Sequence, residues 1–190
     1  MNLSMETPPA VEPVALSDAK DFLRVDYAQE DTLIGELIAS ARARVEAATG
    51  LALIERGLLL TLDKWPERAL QMGAYRLPVR PAAALTSVTI YAADDTSSDE
   101  TSSFRLEAGL ASRLVLDAEA WPRPGRRHGG IEIRFTAGFG TSSQDVADDL
   151  RLAVKTLALE AYRKRSEGGV GEDLSPIVAD LLAPWRRSRL

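Results

Sequence analysis

His128 is the only histidine in a chain of 190 residues that holds no cysteine. Thiolate and multi-histidine metal sites are therefore excluded by composition, and at most one imidazole is available to move a proton. His128 stands in the run Arg126-Arg127-His128-Gly129-Gly130, with no nearby acid in sequence to orient it. A general base needs such a partner within hydrogen-bond reach, so this residue reads as a solvated loop histidine. Asp94, Asp95, Asp99 and Glu100 gather in the polar run ADDTSSDETSS over 93–103, and clustered carboxylates can hold a hard cation. The run lacks the ligand spacing and fixed glycine of an EF-hand loop, and a solvated hairpin tip is the better reading. Gly168 to Gly171 is glycine-rich but follows a helical pattern, with no lysine or hydroxyl residue where a phosphate loop requires them. It reads as a hinge, and no cofactor is expected.

Two basic stretches remain. Arg123, Arg126 and Arg127 lie in a Pro/Gly loop and could meet phosphate, but no aromatic residues interleave them for base stacking, so solvated loop charge is the default. At the C-terminus Trp185 is joined by Arg186, Arg187 and Arg189. Trp and Arg are the residue types that most often anchor interfaces, so this segment reads as a docking element rather than a disordered tail. Trp65 and Trp121 each precede a proline and read as caps on a β core. Three function classes follow from these residues. One is an interaction protein built for shape. The second is a small cytoplasmic hydrolase or nucleotide-binding enzyme using the acidic loop or His128. The third is a DNA-binding accessory protein using Arg123 to Arg127.

The elements that must position these residues change period along the chain. Composition, 45% hydrophobic and 27% charged with a formal net charge of −5, fits one domain or a domain carrying a sub-domain. No apolar run approaches the roughly eighteen residues of a membrane span, and the N-terminus lacks a signal-peptide pattern, so cytoplasmic synthesis is expected. Residues 1–13, with three prolines, read as a flexible arm. Ser17 caps a short helix presenting Ala19, Phe22 and Leu23. Residues 30–50 form the spine. Leu33, Leu37, Ile38, Ala41, Val45 and Ala48 share one face, Asp26 caps the start, and Gly50 supplies a left-handed stop.

A partner helix is offered only at 145–165, capped by Ser142 or Ser143. Its face carries Val146, Leu150, Val154 or Ala153, Leu157, Ala161 and Tyr162. Between the two lies alternating β pattern: Leu58/Leu60/Leu62, Tyr75 to Pro78, Val88/Ile90, Phe104 to Leu106, Arg113 to Leu116, and Ile131 to Phe135. The expected fold is α+β. An antiparallel helical core of two long helices, with short N- and C-terminal helices, carries an inserted antiparallel sheet or small sandwich of about five or six strands. The division expected is 14–50 with 141–165 as helical core, 51–140 as β insertion, and 166–190 as a hinged C-terminal segment in which Ser175 and Pro176 open a last helix.

The order of these signatures resembles tailed-phage head-tail connector proteins, the gp6-like and phiE125 gp8-like families, including adaptor proteins of gene transfer agents. The residues that carry the resemblance are Leu23-Arg24-Val25-Asp26, Glu30-Asp31, Thr49-Gly50, Leu62 to Pro66, Leu77 to Pro81, Ser87-Val88-Thr89, Phe135 to Gly140, and Leu182 to Arg187. The resemblance implies a structural protein without enzymatic activity, placed at the neck of a phage or phage-like particle and assembled in the bacterial cytoplasm. It implies a homo-oligomeric ring, usually a dodecamer, between a portal protein and a tail-side connector or stopper. DNA passes through the channel without sequence-specific binding, and no membrane is involved. Carried onto this chain, the portal grip falls on Leu181, Leu182, Trp185, Arg186, Arg187 and Arg189. Ring contacts fall on Glu36, Arg42, Arg44 and Glu46, since repeated head-to-tail contacts between charged faces close rings.

Overall fold

The structure, a computed structural model, describes residues 1–164 and 174–186. The elements begin with β1 (Asn2–Thr7), α1 (Leu16–Leu23), α2 (Asp31–Thr49), β2 (Arg56–Leu62), α3 (Glu67–Met72), β3 (Ala74–Arg76) and β4 (Ala82–Tyr91). They continue with β5 (Ser97–Asp99), β6 (Phe104–Glu107), β7 (Arg113–Leu116), β8 (Ile131–Ala137), α4 (Asp148–Lys164) and α5 (Pro176–Leu182). The chain divides into two compact units, one of Met1–Pro9 with Glu55–Phe139, the other of Ala10–Ile54 with the residues from Gly140 onward. The fold is α+β, with two antiparallel sheets.

In the β-rich unit the larger sheet runs β1-β2-β8-β4-β5 and the smaller β3-β7-β6. Strand β8 is central, and its alternation decides the core. Ile131, Ile133, Phe135 and Ala137 are buried while Glu132, Arg134 and Thr136 are not. On one side they face Leu62, Leu60 and Leu58 of β2, on the other Ile90, Val88 and Leu85 of β4. Strand β4 starts at Ala82, upstream of the clean alternation around Val88. Register shifts between Ala82 and Ala84 and between Leu85 and Ser87 break the period of two.

Residues 2–7 are not an arm. They form β1, which pairs antiparallel with β2 from Asn2↔Thr61 to Thr7↔Gly57, and Glu6 bonds Arg134 at 2.9 Å. All six residues are exposed, so the strand is held by a backbone ladder that its own side chains do not announce. Helix α3 is a further addition. Its alternation-free sequence ERALQM sits between Pro66 and the left-handed Gly73 (φ 65°) and buries only Ala69.

In the helical unit α2 and α4 pack together, with α1 and α5 against them. The buried face of α2 is Ile34, Ile38, Ala41, Val45 and Thr49. Ile38, Ala41 and Val45 are shared with the expected stripe, while Leu33, Leu37 and Ala48 are only half-buried and Ile34 and Thr49 are buried in their stead. Asp26 is not the cap. Glu30 occupies the N-cap, its side chain making no capping bond to the helix, and the corner is closed by Lys20, whose Nζ reaches Asp31 Oδ1 at 2.5 Å and the Tyr27 carbonyl at 2.9 Å. Gly50 does end α2, with φ 69° and its N–H on the Glu46 carbonyl. Helix α1 starts at Leu16 with Ala15 as N-cap, so Ser17 lies inside it, and Arg24 in left-handed conformation ends it.

The second long helix starts at Asp148, not Asp145. A 3-10 turn over Ser143–Asp145 precedes it, with a capping box between Ser142 and Asp145. Gly140 is needed there, since a Cβ would fall inside the Asp145 carboxyl group. Leu150, Ala153, Val154, Leu157 and Ala158 are buried, and Ala161 and Tyr162 are half-buried. The Tyr162 hydroxyl bonds Glu30, and lies 3.4 Å from the Tyr27 hydroxyl. The expected joint at Gly168 to Gly171, and Arg165, lie outside the described residues.

Candidate assembly surfaces

The C-terminal segment begins with α5, opened by Pro176 at its first position. One face of this short helix, Val178 and Leu182, is completely buried in its own subunit, while Ile177 on the other side is 65% exposed. The 3-10 turn Ala183–Trp185 then brings the half-buried indole back onto α4, where Nε1 donates to Asp149 Oδ2 at 2.7 Å. Of the residues expected to grip a portal, Leu182 and Trp185 are thus engaged inside the subunit. Burial of Leu182 and the Asp149 hydrogen bond hold them there. Leu181 is half-buried and Arg186 exposed; Arg187 and Arg189 lie outside the described residues.

The four residues expected at ring contacts also separate. Arg42 forks onto Glu12, Nε to Oε2 at 2.7 Å and Nη2 to Oε1 at 3.2 Å, and reaches Glu46 at 3.2 Å. Burial alone would lower its pKa, but the hydrogen bonds and charges of Glu12 and Glu46 outweigh that and raise it. Glu46 also accepts the Leu53 N–H at 2.9 Å. Arg42 and Glu46 therefore lock the segment before α1 and the turn after α2. Arg44 is half-buried with an interaction of its own. Glu36 is exposed and unpaired among the described residues.

The chemical candidates resolve into loop structure. His128 is 84% exposed, and its Nδ1 lies 3.9 Å from Asp63 Oδ1. That oxygen accepts the Gly129 N–H at 2.8 Å, the main reason the Asp63 carboxyl is held below its usual range. In the acidic run, Asp94 accepts the Thr96 hydroxyl and N–H, and Asp99 accepts those of Thr101. Both carboxyls titrate below their usual range, from the hydroxyl bond first and the backbone bond second. Asp95 pairs with Arg126 at 2.8 Å, and Glu100 accepts Ser103. These acids shape turns, and among the described residues no group of three or more candidate ligands is placed to hold a metal ion. Arg126 also stacks 4.3 Å above the Tyr91 ring, whereas Arg123 and Arg127 are exposed.

The tryptophan caps belong to an aromatic group that single positions do not reveal. Trp65 lies 4.7 Å from Trp121, 5.2 Å from Phe104 and 6.2 Å from Tyr75 by ring centroid. Its Nε1 donates to the Pro122 carbonyl at 2.9 Å. Asp149 and Val178, which hold the C-terminal segment, are likewise partners that sequence reasoning misses. The helical spacing of Val178 with Leu182 is the one signal that points to the second.

Three solved structures resemble the chain along its whole length, each covering 100% of this chain and 97% of the other. The virion of a native gene transfer agent (GTA) particle aligns with TM-score 0.84 at 28% identity. The neck of an empty GTA particle computed with C6 symmetry aligns at 0.82 and 29%, and the neck of a native GTA particle computed with C12 symmetry at 0.79 and 28%. No curated protein matches the sequence. A family profile described as phage gp6-like head-tail connector protein matches residues 13–108, just over half of the chain. The chain belongs to the phage gp6-like head-tail connector family.

Proposed function

We propose that this connector closes into a homo-oligomeric ring, of twelve copies, between a portal protein and a tail-side connector or stopper, surrounding a DNA channel and catalysing no reaction. The observation that carries the reading is the end-to-end likeness to chains from particle necks solved with cyclic symmetry. A net charge of −5 suits a conduit, since duplex phosphates bind Lys/Arg-rich walls and slip past acidic ones. Portal contact falls on the outward side of the C-terminal segment, on Ile177, Leu181 and Arg186 with Arg187 and Arg189 beyond. Leu182 and Trp185 act from inside, by holding α5 in place.

Deleting the chain in the producing cell is expected to leave filled heads without tails, seen by negative-stain imaging; tailed particles in its absence overturn the reading. Ile177→Asp with Arg186→Glu is the finer test, because truncation before α5 would also remove the buried Val178 and Leu182. Undiminished co-assembly of that variant with portal discards the assigned contact.

A further inference from the structure

The β-rich unit keeps its unpaired cations in one place. Arg105, Arg113, Arg126 and Arg134 each have a carboxylate within salt-bridge distance. Lys64, Arg68, Arg76, Arg123 and Arg127 are exposed and, among the described residues, have none. All five line depressions grouped about Lys64-Trp65-Pro66. Arg68 and Arg76 flank a hollow of about 210 Å³ against Ala69, Met72 and Tyr75. Lys64 and Arg127, together with the Asp63 carboxylate that accepts the Gly129 N–H, border one of about 500 Å³, and Lys64 with Arg123 border one of about 450 Å³ against Leu70 and Trp121.

The walls are apolar, and Leu70 and Met72 stand 46% and 61% exposed. Uncovered apolar surface rimmed by charge is the usual mark of an interaction site. The register adds a local cost. Arg76 of β3 lies directly opposite Arg113 of β7. Like charges across a ladder repel, and while Glu107 compensates Arg113, Arg76 has no acid among the described residues.

We propose that this end of the β-rich unit seats an acidic protein segment bearing apolar side chains, contributed by a different protein of the neck. The proposal rests on the connector reading and gives it a second contact surface. Carboxylates of the segment meet Arg68, Arg76, Lys64, Arg123 and Arg127, while its apolar side chains cover Leu70, Met72 and the edge of Trp121. A duplex would satisfy the cations but leave the apolar walls unused. A second copy of this chain is a poor occupant. Its acidic run over 93–103 holds no apolar residue beyond Ala93, and its carboxylates are already bound in turns and to Arg126.

The test places photoreactive p-benzoylphenylalanine at Leu70 or at Met72 in the full chain, expressed in particle-producing cells. Irradiated particles are digested and the joined peptides sequenced. The expected product links the site to an acidic segment of another neck protein. Its yield falls about tenfold with Arg68→Glu and Arg76→Glu together, as for loss of rim complementarity worth one decade in affinity. Thermal melting of the variant, expected unchanged, separates lost charge from lost fold. A link to DNA, to a second copy, to a non-acidic segment, or no link at all while the chain is present in necks overturns the surface alone. Absence of the native chain from necks overturns the connector reading and the surface with it.

Discussion

Replacing Trp185 by phenylalanine is expected to loosen the C-terminal segment without unfolding the helical unit. The substitution keeps most of the ring and removes the donor that reaches Asp149 at 2.7 Å. A hydrogen bond to a charged acceptor contributes about 1.5–3 kcal/mol. The lower end applies because Trp185 is only half-buried, so water can replace the donor, and Asp149 keeps the Leu150 N–H at 2.9 Å. Val178 and Leu182 remain completely buried, each contributing about 1.5–3 kcal/mol. The segment thus stays docked but opens about tenfold more often, one decade being about 1.4 kcal/mol. Amide hydrogen exchange reads this directly. The Ala179 and Arg186 amides, bonded to the Ser175 and Leu182 carbonyls, exchange about tenfold faster while those of α2 are unchanged. Leu182→Ala, at about 2–5 kcal/mol, removes most of the protection and most portal capture. Unprotected α5 amides in the native chain, or unaltered exchange in the phenylalanine variant, refutes the indole as the latch. Full portal capture by Leu182→Ala refutes the docked segment as the contact.

Gly35 has no positive φ, and a methyl group added to it would meet no atom within 4 Å. Gly35→Ala should therefore raise subunit stability by about 0.5–1 kcal/mol, the helix-interior penalty of glycine; a lowered urea midpoint contradicts this. Gly140→Ala drives a methyl into Asp145 and the capping box, and a cost of about 1–3 kcal/mol is expected from thermal melting, an unchanged midpoint telling against it. Asp94 and Asp99 have folded-state pKa values below their unfolded ones, so their contribution is present above the unfolded value and lost as pH falls through the folded one. The Thr96 and Thr101 amides should therefore lose protection only on acidification below the ordinary carboxylate range, and loss near neutrality counts against the turn role. Arg42→Gln should lower the stability of a single subunit, because Glu12 and Glu46 lose their partner, whereas Glu36→Gln should leave it unchanged; equal effects in urea titration sink the distinction.

What the sequence makes legible is whatever depends on short-range period. The alternation of Leu58, Leu60 and Leu62 and of Ile131, Ile133 and Phe135 survives intact, as does the glycine stop at Gly50. Strand β1 is not legible, because its pairing depends on an edge of β2 supplied fifty residues later, and its own side chains are all exposed. The middle of the α2 face, Ile38, Ala41 and Val45, is legible, but its edges move to Ile34 and Thr49, because Leu33 and Ile34, and Leu37 and Ile38, are adjacent apolar pairs. Period alone does not say which member points inward; the packing against α4 selects the isoleucines. Caps differ from expectation for a related reason. Ser17 and Asp26 have suitable side chains, but the corner is fixed by Lys20 on Asp31, a contact across two helices.

The same limit governs the surfaces. On a helix, a charge committed to its own chain and one left for a neighbour look alike in sequence, since both are polar residues off the apolar stripe. Arg42 and Glu46 have the spacing of an exposed ion pair, yet they bind Glu12 and the Leu53 amide, so a neighbour could recruit them only by releasing those bonds. An uncommitted charge incurs no such internal cost on association, only its own desolvation. By that criterion Glu36, Arg186 and the cations around Lys64-Trp65-Pro66 are the charges best able to contribute to assembly, Arg186 with the exposed Ile177 nearby in the chain. Trp185, the residue type most suggestive of an interface, instead stabilises the C-terminal segment that displays Ile177 and Arg186.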